Sequence, residues 1–495
     1  MKARTLDRFY LFASKFSLKS IISEICSLAS DMVKHPDENL KMFATHKKYN
    51  VVDNGMHYKS KVSVYQTNLI DILYELVCFD YFGSKEISRD EVLFLIHLHV
   101  NLESSRYKKE KSDTNFWLGL FGNMGEQKRF QLSTDFFDDF SREKYILENI
   151  SRKKHVKNTN DISFLDEFFE ETNLSTDEYS AILFVLFAYF TEISSHLNPS
   201  VLDTKIVNPV LSSERLIEMI KKYSITVEEV KKSTMKRQVF YLKPILELDG
   251  IYFSVNPFLL LCTFANSNYW VIRNKYKNLN TQKFTNAFGK YFEIYLEEVL
   301  SNCLSTNQYK NLEESSKYKI ADWHLKIENY HFLVEQKSAI SVLGIKQSKP
   351  DIEAMKKHIL KNWGEAVKQL NETQKQLKIE NAIKIILVYE DYYNSICLDK
   401  LFELNPSLEN DKKFWLISIK DFEKLMHTYK TNPKLFSKIV SEKNEAELKS
   451  ATDGREMSMF LSKNGIHDNE YLDEFGISKE YDKIEQLISN CFEVN

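Results

Sequence analysis

The sequence predicts an α+β protein of more than one domain, with a mostly helical first half followed by an α/β unit in the second. Three observations carry this. Gly and Pro, the main turn formers, number only 12 and 8 in 495 residues, which favours long helices over tight hairpins. Before about residue 235, helix starts are legible and strand patterns are scarce. After residue 284, amphipathic helical stretches alternate with short apolar, β-branched runs of strand length. At roughly 100–200 residues per domain the chain accommodates two to four. The expected division is a helical domain over 1–235, a hairpin-and-helix connector over 236–280, an α/β domain over 281–440 and an acidic helical segment over 441–495.

In the first half, Ser88 with Glu91, Ser175 with Glu178 and Thr226 with Glu229 each match the S/T-x-x-E capping box. In that box two orphan N–H donors are satisfied reciprocally. The run Ala181–Phe190 is the longest apolar stretch. It falls short of the about 20 residues a membrane span needs and reads as a buried core helix. Three basic clusters interrupt the region: Arg106–Lys111, Arg152–His155, and Lys231-Lys232 with Lys236-Arg237. They read as solvated loops, with phosphate contact as the sharper alternative. Gly119, Gly122 and Gly125 in Trp117–Gly125 lack the Lys-Ser/Thr of a phosphate-cradling loop and read as an ordinary loop. His97 and His99 have no further ligands nearby and are expected in the core or on a helix surface.

In the connector, Val239–Leu248 and Ile251–Val255 flank Asp249-Gly250, a strong short-range hairpin signal. A helix from about Pro257 to Lys275–Lys277 follows. Within 284–430 the expected elements are a helix over Phe284–Leu300, strands over Tyr318–Ile327 and Tyr330–Lys337, and a long helix over Asp351–Leu377. A buried strand over Ile383–Val388, another over Phe414–Ile419 and a helix from Asp421 complete the unit. Helices covering both faces of such a sheet give an α/β core.

The polar residues inside this frame are Asp322 and Glu335-Gln336-Lys337. Alternation along a strand places Glu335 and Lys337 on one face and Val334 and Gln336 on the other. If the hairpin turns at Glu328-Asn329, Asp322 lies six residues before the turn and Glu335 six after it. Two carboxylates and an ammonium then meet at one end of the sheet. Two carboxylates suit Mg²⁺, a hard cation that prefers oxygen ligands. Such an ion activates water and stabilises charge on a phosphoryl oxygen. A neighbouring lysine positions that water, or helps deprotonate it if burial lowers its pKa.

These residues resemble the PD-(D/E)XK nuclease superfamily, with its restriction-endonuclease-like fold, over about residues 284–430. Asp322 stands where the family's Asp stands, and Glu335-Gln336-Lys337 matches its (D/E)-x-K. Ala321 replaces the family's Pro. By this resemblance Asp322, Glu335 and the backbone carbonyl of Gln336 would hold Mg²⁺ or Mn²⁺, and Lys337 would act beside them. Glu293 looks like the acidic residue of the family's first core helix, which orients the attacking water. Gln369 resembles the Gln some members carry on the helix after the Lys strand. The resemblance implies a metal-dependent endonuclease, with DNA favoured over RNA as its nucleic-acid partner. The large helical half would recognise a target, sense a signal or mediate assembly, as a homodimer or with a partner protein. That layout resembles bacterial anti-phage defence effectors, a fold-level analogy. An RNase, and a module that kept the nuclease fold but lost the reaction, remain open alternatives.

Composition bounds the rest. The formal net charge is −3, so any nucleic-acid surface must be local. The six cysteines include no C-x-x-C pair, which argues against a zinc or redox motif and for reduced thiols in a cytoplasm. Arg8, Lys15 and Lys19 interrupt the N-terminal apolar stretch, so neither a signal peptide nor a membrane anchor is expected. Residues 441–495 hold 13 acidic and 6 basic residues, net 6 − 13 = −7. One or two helices packed on the body are expected there, with occupation of a basic groove as the alternative.

Overall fold

The structure, a computed structural model, describes residues 2–34, 66–107, 135–153, 162–201, 211–277, 281–312, 319–340, 351–390, 395–448 and 455–492. It also describes four three-residue strands between 42 and 64, and residues 115, 118, 119, 122 and 279. Most of Trp117–Gly125, and the basic residues Lys108, Lys109, Lys111, Lys154 and His155, lie outside the described residues.

The architecture is α+β. Four helices open it: α1 (Lys2–Ala13), α2 (Leu18–Lys34), α3 (Gln66–Val77) and α4 (Arg89–Tyr107). Two hairpin-sized sheets lie between α2 and α3, pairing β1 (Met42–Ala44) with β4 (Val62–Val64) and β2 (Val51–Asp53) with β3 (Met56–Tyr58). Helix α4 begins behind the expected cap: Glu91 accepts from the Ser88 N–H at 2.9 Å and from its hydroxyl at 2.8 Å. Partial burial works against the Glu91 charge, but Ser88 and Lys85 hold its carboxyl down to about 2. His97 and His99 are both buried, and His99 packs on Phe9.

Next come α5 (Asp135–Tyr145), α6 (Phe164–Thr172), α7 (Thr176–Ala188), α8 (Ser213–Tyr223) and α9 (Val227–Lys232). Both remaining capping boxes form, at Ser175 on α7 and Thr226 on α9. The apolar run of α7 continues into a π-helical turn, Tyr189–Ile193. Among the described residues no helix is long and apolar enough to cross a membrane. Lys231 pairs with Asp80, and Arg237 is buried against Asp71 at 2.6 Å, so that basic cluster is partly structural.

The Asp249-Gly250 hairpin forms, with φ of 53° and 73° at its two turn residues. Both left-handed values suit a type I′ turn. Its strands, β7 (Ile245–Leu248) and β8 (Ile251–Ser254), are shorter than expected, because Val239–Leu242 winds into a helical turn, α10. With β5 (His196–Leu197) and β6 (Ser224–Thr226) they make a mixed sheet ordered β5-β8-β7-β6. One face of that sheet completes a core with α1–α4, through Ile225, Leu246 and Phe253.

Helices α11 (Pro257–Lys277) and α12 (Thr281–Cys303) lead into the second mixed sheet, ordered β13-β12-β11-β10-β9. Its strands are β9 (Tyr309–Asn311), β10 (Trp323–Ile327), β11 (Tyr330–Lys337), β12 (Ala382–Val388) and β13 (Phe414–Ser418). The strand expected over Tyr318–Ile327 is five residues long, and β9 was not anticipated. Helix α13 (Ile352–Leu377) joins β11 to the parallel β12, capped by Asp351, whose carboxylate accepts the Ala354 N–H at 3.0 Å. Helix α14 (Ser395–Leu404) precedes β13, and α15 (Ile419–Thr431) starts two residues earlier than expected, capped by Ser418. Every residue of β12 and β13 is buried, as a strand covered on both faces requires.

The two faces feed different cores. Trp323, Leu325, Phe332, Val334, Ile385 and Ile417 pack with α12 and α15. Leu333, Ile386, Val388 and Leu416 pack under α13. The first of these cores runs from Phe140 to Ile484 and so includes helices α5–α7 from before residue 235. Ionic contacts follow the same path. Arg142 on α5 holds Glu423 on α15 through Nε at 2.6 Å and Nη2 at 2.7 Å, and neither side chain is more than 2% exposed. Glu423 also accepts from the Tyr295 hydroxyl and the Asn469 amide. Lys144, two residues on, meets Glu148, Asp177 and Glu480. The C-terminal segment holds more helices than expected: α16 (Pro433–Leu448) runs into it, followed by α17 (Met457–Lys463), α18 (Glu470–Glu474) and α19 (Lys479–Phe492). Glu474 and Glu480 spend their charge on His427, Lys430, Lys144 and Lys483 within the body.

Candidate active site

The candidate site is built on the β10–β11 hairpin. A two-residue turn, Glu328-Asn329, fixes the register, with Ile327 opposite Tyr330 and Trp323 opposite Val334. One step further along the same register, Asp322 falls opposite Glu335. There the two strands stop pairing through their backbones. The Gln336 N–H, left without a β10 carbonyl, donates instead to Asp322 Oδ2 at 2.7 Å. This holds the Asp322 carboxylate against the peptide that follows Glu335. On the other side of β10 the Leu312 N–H donates to the Asp322 carbonyl at 2.8 Å, so the residue is fixed from both neighbouring strands.

Glu335 shares the face of Leu333, toward α13, and is 3% exposed. The half-buried Lys337 lies two residues on, and its Nζ donates to Glu335 Oε1 at 2.6 Å. Its carbonyl accepts the Tyr389 N–H beyond β12, which pins the strand end. Gln369, on the inner side of α13, closes the group. Its Oε1 lies 3.4 Å from Lys337 Nζ, and its Nε2 donates to the Ile320 carbonyl at 3.3 Å. One turn along the helix, Thr373 Oγ1 accepts the Ala321 N–H at 2.7 Å and donates to the Gln369 carbonyl at 2.7 Å. Helix α13 thus clamps the start of β10 and the end of β11 together.

The structure brings Asp322, Glu335, Lys337 and Gln369 into one group. Glu293 lies on α12. Its carboxylate takes Lys290 Nζ at 2.8 Å on its own helix, and α12 covers the sheet face opposite α13. Helix α12 touches the strand end at Gly289, where a Cβ would sit 3.3 Å from Ser338 Oγ. Glu293 lies one turn beyond that contact, on the same side of α12.

Several neighbours of the site were missed in the sequence. Thr373 follows Gln369 by four residues, a spacing that puts both on one helix face, and that was the available signal. His324 and His331 sit diagonally across the hairpin on the Asp322 face. Their rings stack at 9°, with Nε2 of His324 2.9 Å from Nδ1 of His331. Burial, then His331, Lys326 and Lys310, push His324 below its ordinary pKa.

Among the described residues no three His, Cys, Asp or Glu side chains form a metal-holding group. The expected donors are two carboxylates and the Gln336 carbonyl, a set with only two such side chains. Their chemistry nonetheless fits a hard divalent ion, since all are oxygen donors. Glu335 is buried with a cation already placed against its Oε1, and Asp322 is held in position by a backbone N–H. No family model, curated protein or solved structure matches the chain.

Proposed function

We propose that the chain is a metal-dependent nuclease of the PD-(D/E)XK type, hydrolysing phosphodiester bonds in nucleic acid, with DNA as the expected substrate. The observation that carries the reading is the split end of the β10–β11 hairpin. There Asp322 holds the Gln336 N–H and Lys337 reaches Glu335. The order α12, β9, β10, β11, α13, β12 around it supports the same reading, because it places an acid-bearing helix before the hairpin and a Gln-bearing helix after it.

Asp322, Glu335 and the Gln336 carbonyl would hold Mg²⁺, which supplies water activation and charge stabilisation on the scissile phosphate. Lys337 supplies a positive charge and three donors beside Glu335, to position the attacking water or a phosphate oxygen. Gln369 keeps that ammonium aimed, because its amide is itself anchored on the Ile320 carbonyl. Asp322 is pre-oriented by its backbone partner, so little reorganisation accompanies the reaction.

The test is incubation of the purified chain with plasmid, linear duplex, single-stranded DNA and RNA, with Mg²⁺ or Mn²⁺ and with EDTA. Cleavage that requires the cation supports the proposal. Nucleic-acid binding without cleavage under every condition would replace it with a non-catalytic binding module.

A further inference from the structure

The sheet face that carries Asp322 and Glu335 continues down the hairpin as a basic surface. Lys310 on β9 lies opposite His324 on β10, and Lys326 lies opposite His331 on β11. Residues opposite each other share a face, and residues two apart along a strand share it too. Lys310, His324, Lys326 and His331 therefore form one cluster, in line with Asp322 along β10. Both lysines are exposed and the two histidines are half-buried. Neither lysine pairs with an acid among the described residues, in a chain where most buried and half-buried cations do. Glu328, at the hairpin turn, is engaged by the Ser437 hydroxyl at 2.5 Å.

The histidine pair adds a donor whichever way it is protonated. If His324 Nε2 carries the shared proton, neutral His331 keeps its N–H on Nε2, pointing away from the pair. If His331 Nδ1 carries it, His324 keeps its N–H on Nδ1. Either arrangement leaves one imidazole N–H and two ammonium groups beside the carboxylate end of the strands.

We infer that this Lys310–His324–Lys326–His331 surface holds the sugar–phosphate backbone of the nucleic acid flanking the scissile bond, guiding it along β10 to Asp322. The inference rests on the nuclease reading for its direction, and on charge and register for its existence. With an overall net charge of −3, affinity for phosphate calls for a local concentration of positive charge. This one is continuous with the site, formed by the same two strands and the neighbouring β9.

The test is the salt dependence of binding of labelled duplex DNA, single-stranded DNA and RNA without divalent cation, for wild type and the Lys310→Ala/Lys326→Ala variant. Each phosphate contact contributes about 0.9 to the slope of log K against log salt for duplex and about 0.7 for single strands. Loss of two contacts lowers the slope by about 1.8 or about 1.4 respectively. From about 50 to 200 mM salt, wild type then loses roughly tenfold more duplex affinity than the variant. Lys310→Arg/Lys326→Arg retains the wild-type slope, and melting temperatures stay unchanged because both positions are exposed. An unchanged slope in the alanine variant overturns the surface, while cation-dependent cleavage by wild type still sustains the nuclease reading. A reduced slope with no cleavage by wild type sustains the surface and sinks the nuclease reading. Wild type that binds no nucleic acid overturns both.

Discussion

Removing the Arg142 charge should destabilise the whole second half of the chain, although Arg142 precedes residue 235. The perturbation of choice is Arg142→Met, which keeps most of the apolar volume and isolates the charge. Arg142 gives Glu423 two charge-assisted hydrogen bonds, at 2.6 and 2.7 Å, and the two side chains are 2% and 0% exposed. Hydrogen bonds to charged groups contribute about 1.5–3 kcal/mol each. Breaking a buried pair by removing one partner costs about 3–5 kcal/mol, because the other charge stays buried. Tyr295 and Asn469 still donate to Glu423, which places the loss near the lower end, at about 3 kcal/mol. The contact from Arg142 to Asp139 adds little, since Asp139 is about half exposed. Urea denaturation followed by tryptophan fluorescence and by circular dichroism measures the loss. Glu423→Gln in the same background should recover part of it, with a coupling of about 1.5–3 kcal/mol. A loss below about 1 kcal/mol, or strictly additive single variants, would refute the claim that this pair locks α5 to α15. The same reasoning predicts that residues 236–495 expressed alone unfold without cooperativity, because they lack Arg142 and Lys144.

Two further outcomes follow from named groups. Lys337→Ala should lower single-turnover cleavage by about 10²–10⁴-fold, as loss of a positioned acid–base or phosphate-holding group does, and should also lower the melting temperature, because the buried Glu335 loses the ammonium at its Oε1. An unaltered rate would remove Lys337 from the chemistry. Glu143 on α5 is buried, and burial pushes its carboxyl up to about 8, against the Tyr269 N–H that favours its charge; Asp139 adds to the rise. Its neutral form is the stable one in the fold. The stability it contributes is complete below the ordinary glutamate pKa of about 4.3 and is lost as pH rises through about 8. Glu143→Gln should therefore flatten the pH dependence of stability between these limits, removing a slope of up to about 1.4 kcal/mol per pH unit. Equal melting temperatures of wild type and variant at both pH 5 and pH 8 would contradict this.

What the sequence disclosed was local. The capping boxes at Ser175 and Thr226, the Asp249-Gly250 turn and the hairpin count from Asp322 to Glu335 depend on short spacings, and each formed. Long-range burial was hidden. Ser141, Arg142, Glu143 and Lys144 form a polar run on α5, yet all four are buried, and the last three have partners on α15, α11 and α19. Strand β9 escaped because Tyr309-Lys310-Asn311 is three residues long with two of them exposed, so no alternation was visible. The Glu293 expectation rested on the family resemblance alone, and the Lys290–Glu293 pair on α12 was not read from the sequence.

The central claim is that Asp322 and its neighbours hydrolyse phosphodiester bonds with a divalent cation. Single-turnover cleavage of a labelled duplex by wild type and by Asp322→Asn, in Mg²⁺ and in EDTA, tests it most directly. Asparagine can still accept the Gln336 N–H, so the fold should persist while the carboxylate charge is lost. The account predicts cation-dependent cleavage by wild type, and a rate for Asp322→Asn no higher than wild type in EDTA, at an unchanged melting temperature. Cleavage by Asp322→Asn at the wild-type rate would contradict it.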